Sequence, residues 1–333
     1  MKDRLLRGAA QIVLRTPLVR VLARSRQGGA DSALDPQIAA VLAAEKLLHL
    51  PSLDTMDPVR ARTFAEQGLS PLDVAPVAMA EVIDTTVAGP GGPIPVRIFV
   101  PPDAGPDWII YFHGGGGVIG SIRAMEPVTR LIAAQTRCVV ASVEYRLGPE
   151  HRHPAAIDDA CAAWDALVAR APGGRIAVAG DSFGAYLAAH VDHHTRTTGA
   201  RRPDLQVLIY PIVDMTLTSP SIERLASGYL LTKAIIHWFR NHYLNPTDDR
   251  RAISPMHWPD LRGSARTLLT TAGYDPLVEE GERYADLLRA AGTDVRHRRY
   301  PSLVHGYISL AGGVTAARAA LDELCRDIRE LLG

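Results

Sequence analysis

Residues 175–184 read Arg-Ile-Ala-Val-Ala-Gly-Asp-Ser-Phe-Gly. The first five form an apolar, strand-like run. Gly180-Asp181-Ser182-Phe183-Gly184 then fits the pattern G-x-S-x-G, and an amphipathic helical pattern opens at Phe183 and continues to about 197. A serine between a buried strand and a helix must sit on a tight turn with an unfavourable backbone angle. Glycines on either side let neighbouring backbone approach closely. The hydroxyl then stands clear of the sheet at a helix N-terminus, where partial positive charge favours a developing anion. The pattern is weak alone, so its surroundings carry the decision.

Working outward, the strand-like and helix-like patterns alternate. Strand candidates lie at 94–100, 108–112, 138–145, 175–179, 205–210, 266–272 and 295–300, with an edge strand at 81–87. Most are continuous runs rich in Val and Ile, as strands covered on both faces require. Helix candidates at 124–136, 155–170, 183–197, 278–291 and 316–332 fall between and after them. This alternation predicts an α/β fold with a mostly parallel central sheet and helices on both faces. Two stretches break it. Residues 1–75 are helical and punctuated by proline. Residues 213–257 hold a helix-like segment at 233–243 and concentrate Tyr229, Trp238, Phe239 and Tyr243. Together they predict a helical cap over the carboxyl edge of the sheet, where open α/β sheets bind ligands; a dimer interface is the alternative. The expected division is 1–75 and 213–257 for the cap, 76–212 and 258–333 for the core.

A second glycine cluster, His113-Gly114-Gly115-Gly116-Gly117, follows the strand at 108–112. Four consecutive glycines cost conformational entropy that a bare turn would not need. Upstream of a nucleophile turn they suit an oxyanion hole, where backbone N–H groups face a tetrahedral intermediate with no side chain in the way. A serine nucleophile also needs a base and an orienting carboxylate, in the chain order serine, acid, histidine. Asp275 stands just past the strand candidate 266–272. His305 follows the strand candidate 295–300 across a short loop, 301–304. All three positions fall on one edge of a parallel sheet.

The rivals are weaker. His190, His193 and His194 are expected on the solvent side of the helix after Ser182, and His151 and His153 in structural roles. His237 and His242 belong to the cap. His113 is expected to brace the glycine loop, and Asp181 and Glu144 to be supporting hydrogen bonders. Glu279 and Glu280 begin a helix, where acids commonly cap. No H-E-x-x-H, C-x-x-C or EF-hand pattern appears, so no metal is expected, and the glycines lack the ending of a phosphate-binding loop.

The 36 basic and 36 acidic residues of the 333-residue chain cancel, which gives no general argument for nucleic-acid binding. With 47% hydrophobic and 22% charged residues, the chain is not of disordered composition. Cys138, Cys161 and Cys325 are too few and too scattered for a disulfide framework or a four-cysteine zinc site, and read as buried small hydrophobes. Residues 1–26 carry seven basic side chains against Asp3 alone. A helix packed on the protein's own lid, arginines in water, is the plainer reading; contact with anionic lipid is the second. The apolar run at 8–14 is short and impure for an export signal, and nothing later is long enough for a membrane span. The expectation is cytoplasmic, with membrane association through residues 1–26 as the second reading, and a monomer or homodimer.

Taken together, His113–Gly116, the segment Tyr145-Arg146-Leu147-Gly148-Pro149-Glu150-His151, Gly180–Gly184, Asp275-Pro276-Leu277 and His305-Gly306 resemble the hormone-sensitive lipase-like group of α/β-hydrolase carboxylesterases. The likeness runs over roughly residues 80–330. It implies an α/β-hydrolase core with a helical cap, Ser182 as nucleophile, Asp275 as acid, His305 as base, and the amides of Gly115, Gly116 and Phe183 as oxyanion donors, supported by His113 and Gly114. It implies hydrolysis of short- to medium-chain esters without a cofactor. The group also includes receptors that bind small molecules without catalysis, and the same machinery serves lipases and hydrolases of amides and lactones. Two departures stand out. Phe183 and Ala185 replace the usual Ala and Gly, so the Phe183 ring is expected to narrow the site or press on the cap. The basic N-terminus is longer than usual.

Overall fold

A computed structural model describes Leu14, Val19 and residues 33–333 apart from 69 and 172. The reading of residues 1–26 as a basic helix therefore lies, except for those two residues, outside the described part. Leu14 and Val19 are helical and buried, packed with Ala40, Val41 and Leu72.

Eight strands form one sheet: β1 Glu81–Gly89, β2 Gly92–Val100, β3 Trp108–Phe112, β4 Val139–Val143, β5 Ile176–Asp181, β6 Leu205–Ile209, β7 Thr267–Tyr274 and β8 Val295–Val304. Their spatial order is β1-β2-β4-β3-β5-β6-β7-β8. β2 runs antiparallel to both its neighbours; every pairing from β4 to β8 is parallel. The helices are α1 Pro36–Leu47, α2 Pro58–Gly68, α3 Ile122–Thr136, α4 Ala155–Val168, α5 Phe183–Thr198, α6 Pro220–Arg224, α7 Lys233–Tyr243, α8 Val278–Ala290 and α9 Thr315–Leu332.

Strand side chains alternate between two buried layers. Ile109 and Tyr111 of β3 join α3 and α9 on one face, whereas Ile110 and Phe112 join α4, α5 and α8 on the other. Every residue of β4, β5 and β6 is buried. That explains why these segments read as unbroken apolar runs.

The predicted elements are recovered with shifted ends. The candidate at 138–145 contracts to Val139–Val143, because the chain turns into the Arg146 loop held by Asp159. The larger correction concerns 301–304, which is not a loop but the end of β8. Between the pairings Ala272↔Tyr300 and Tyr274↔Val304 the register slips, so Gly273 alone faces residues 301–303. The bulge keeps β8 paired past Pro301, which an edge strand tolerates. A Cβ on Gly273 would run into the Pro301 carbonyl.

Candidate active site

Ser182 is the single residue between β5 and α5, with φ 53° and ψ −114°. A non-glycine residue there carries about 1–3 kcal/mol of strain and persists only if its surroundings over-determine it. They do. Its N–H donates to the Ile209 carbonyl (2.8 Å), and its carbonyl accepts from Ala185 and Tyr186 (3.1 and 3.2 Å). A Cβ on Gly184 would collide with the Phe112 carbonyl, so α5 can pass β3 this closely only with glycine there.

The bulged end of β8 delivers His305, and the end of β7 delivers Asp275. Ser182 Oγ lies 2.9 Å from His305 Nε2, and His305 Nδ1 lies 2.7 Å from Asp275 Oδ2. Asp275 Oδ1 accepts from the Leu277 amide (2.8 Å), and the carboxylate is buried. Residues 123 positions apart thus form one hydrogen-bonded line. Tyr210, which the sequence reading missed, tilts against the His305 ring at 4.7 Å between centroids. It sits just past β6 with φ 37°, and no local pattern marks it.

The glycine loop is tied to the same strand end. Asp181 Oδ1 accepts from the Gly114 amide and the Tyr111 hydroxyl, both at 2.8 Å. Burial pushes the Asp181 carboxyl above its ordinary range, against the pull of these donors. His113 is buried and donates from Nδ1 to the Gly114 carbonyl (2.7 Å), while the Tyr145 hydroxyl donates to the His113 carbonyl (2.7 Å). Burial lowers the His113 pKa and keeps its ring neutral. Among the described residues the amides of Gly115, Gly116 and Phe183 meet no acceptor. All three residues line the cavity that holds Ser182 and His305.

That cavity has a volume of about 200 Å³ and is mostly apolar. Its floor is the carboxyl edge of the sheet. Its roof comes from the 213–257 insertion, through Leu231, Ile235, Ile236, Phe239, Arg240 and Tyr243, with Leu53 added from the N-terminal segment. Of the four aromatics expected in the insertion, Phe239 and Tyr243 reach the cavity. Tyr229 packs on Tyr274, and Trp238 on His242. The Phe183 ring presses on α7, 4.7 Å from the Tyr243 ring and edge-on to it.

Two expectations about rivals need correction. His190 does not face solvent: it packs on Tyr186 and Trp258, and burial pushes its pKa down to about 3. His193 likewise lies against Trp258, because the end of the insertion folds back over α5, and His194 is half-buried beside Asp165. Glu280 does not cap its own helix. It is fully buried and accepts from the Val213 and Asp214 amides, anchoring the start of the insertion, while Glu279 accepts from the Ser221 amide and pairs with Arg224. Burial raises the thiol pKa of Cys138 to about 11 and of Cys161 to about 12, consistent with inert side chains. Among the described residues no cluster has the makeup of a metal site, and no helix is long and apolar enough to cross a membrane.

A strained serine on a strand–helix elbow, met by an imidazole and a carboxylate from later strand ends, is the arrangement of an α/β-hydrolase. The comparisons agree. Residues 109–309 match the model of a family described by its α/β-hydrolase fold. The chain is 36% identical over 321 residues to the carboxylic ester hydrolase LipN of Mycobacterium tuberculosis, covering 91% of this chain and 85% of that protein. It is 35% identical over 246 residues to an ethyl acetate hydrolase of Pseudomonas putida, covering 69% and 76%. The solved ester-hydrolase EH1AB1 from the metagenome of Lake Arreo superposes with a TM-score of 0.86 at 35% identity, covering 89% of this chain and 98% of that one. The chain belongs to this α/β-hydrolase family.

Proposed function

We propose that this protein is a serine carboxylesterase of the hormone-sensitive lipase-like group, acting on short- to medium-chain esters through an acyl-enzyme. The observation that carries the proposal is the line Ser182 Oγ–His305–Asp275 at 2.9 and 2.7 Å inside an apolar cavity. The motif order and the names of the relatives support the substrate class.

His305, neutral, takes the Ser182 proton on Nε2 as Oγ attacks the ester carbonyl carbon. Asp275 holds the proton on Nδ1 and stabilises the imidazolium. The carbonyl oxygen becomes an oxyanion facing the free amides of Gly115, Gly116 and Phe183, each worth about 3–4 kcal/mol in comparable sites. Collapse breaks the acyl–oxygen bond, and His305 hands its proton to the departing alcohol. A water deprotonated by His305 then attacks the acyl-enzyme and frees the acid and Ser182.

Cavity size supports the chain length: about 200 Å³ under the α7 roof accommodates a modest acyl group rather than a long lipid chain. The test is a p-nitrophenyl ester series from acetate to palmitate with wild type and Ser182→Ala. Serine-dependent turnover that peaks at short or middle chains is expected. Turnover by purified Ser182→Ala would overturn the nucleophile, and a palmitate optimum would overturn the chain length.

A further inference from the structure

One face of α7 roofs the cavity. Ile236, Phe239 and Tyr243 recur on it at helical spacing. Arg240 lies on the same face and lines the same cavity, where an aliphatic residue would continue the stripe. Its guanidinium has five N–H donors. One of its terminal nitrogens donates to His237 Nδ1 at 3.0 Å, and Nε is buried with no partner.

No carboxylate among the described residues pairs with Arg240. Two other half-buried arginines are clamped by carboxylates, Arg146 by Asp159 and Arg298 by Asp327, and half-buried Arg152 spends its donors on the Asn241 and Leu244 carbonyls. The charged neighbour that acts on Arg240 is Arg250, which repels it. Burial and that repulsion together pull its pKa below the ordinary range. Asp181 also lines the cavity, but its oxygens are engaged by Tyr111, Gly114 and Tyr210. A partly desolvated cation without a counter-ion is costly to keep, and a planar guanidinium suits a carboxylate through paired hydrogen bonds.

We propose that the preferred substrates are esters that also carry a free carboxylate, held by Arg240 while the ester carbonyl lies at Ser182. The inference rests on the ester-hydrolysis reading above and adds a substrate class to it. The chemistry is unchanged: water adds across the acyl–oxygen bond, and the carboxylate is spectator and handle. It can sit on the acid side of the ester, as in a monoester of a dicarboxylic acid, or on the alcohol side.

Two matched pairs decide. On the acid side, monoethyl adipate is compared with its terminal primary amide. On the alcohol side, 4-acetoxybutyrate is compared with 4-acetoxybutyramide. Each pair differs in charge and hardly in shape, so the ratio of kcat/KM within a pair cancels general damage to the enzyme. In at least one pair the wild type is expected to favour the carboxylate by about tenfold or more, carried mainly by KM. Arg240→Met should bring that ratio near one, and Arg240→Lys should keep part of it. A wild-type ratio near one in both pairs overturns the proposal, and needs no variant to fold. A ratio that Arg240→Met leaves intact overturns the assignment to this residue. If p-nitrophenyl acetate is cleaved and none of the four esters is, the carboxylate class falls alone; if folded protein cleaves none of the five, the esterase reading falls with it.

Discussion

The floor and the roof of the cavity are built by different means. On the floor, Ser182, Asp275 and His305 stand at the ends of β5, β7 and β8, held by backbone hydrogen bonds, a bulge and glycines that admit no side chain. The roof is α7, joined to the floor mostly by side chains: Phe239 over Gly116, Tyr243 against Phe183, and Arg152 donating to the Asn241 and Leu244 carbonyls, with one backbone bond from the His153 amide to the Tyr243 carbonyl. Backbone geometry is shared by any sequence that forms the elbow. Side-chain contacts depend on each residue's identity. The floor therefore sets what reaction is possible, and the roof sets which molecule undergoes it.

Breaking the floor should have the largest effect. His305→Ala removes the proposed base and is expected to lower kcat by about ten-thousand-fold or more. Since the buried imidazole borders the cavity rather than the packed core, the variant's thermal midpoint should stay within a few degrees of wild type. A small loss of turnover with a large loss of stability would reverse the roles assigned to floor and roof.

Phe183 is the hinge of the comparison, its amide on the floor and its ring in the roof. Phe183→Ala keeps the amide and removes a ring packed among Tyr145, Tyr186 and Tyr243. The expected cost is about 3 kcal/mol of stability. Turnover should survive, and the p-nitrophenyl preference should move toward longer chains. Denaturant melts and the ester series check both parts; an unchanged chain preference would show that the ring does not limit the cavity.

His190, beneath the returning end of the insertion, gives a pH handle. Unfolded, it takes up a proton near its ordinary pKa; folded, it does so only at about 3. Between those values the unfolded chain holds more protons, so stability falls as pH falls through the window, by up to about 1.4 kcal/mol per pH unit. His190→Phe should flatten this dependence in melts between neutral pH and pH 4. A slope equal to wild type would mean that the imidazole is solvated.

The smallest effect is expected at the N-terminal side of the roof. Arg62 of α2 donates to the Val118 and Gly148 carbonyls and pairs with Glu150, spanning the cap segment and the glycine-loop region. The ion pair is half-exposed, so Arg62→Met should cost about 1 kcal/mol. KM should change more than kcat in the ester series; the opposite pattern would place this arginine's influence on the floor.

The elbow and the glycine loop are contiguous in the chain, and the geometry of each follows from a few adjacent residues. That is why Ser182 and Gly114–Gly117 could be read directly. Asp275 and His305 were legible because a parallel sheet puts all strand ends of one sense on one edge. Tyr210, the bulge opposite Gly273 and the partial burial of His190 were not, since each depends on segments distant in sequence meeting in space. Glu280 was misread for the same reason: its helix position suggested a cap, while its partners, Val213 and Asp214, come from the segment after β6.

Sequence alone was therefore enough for the parallel sheet and for the glycine-flanked turn at Ser182, because strand periodicity and turn chemistry act over a few neighbouring residues. Tertiary structure decided the cavity's contents: that Arg240 faces inward with no acid paired to it among the described residues, that Phe183 packs on Tyr243 of α7, and that β8 stays paired until Val304. Burial and the absence of a counter-charge depend on everything that packs around a side chain, which its immediate sequence neighbours do not encode.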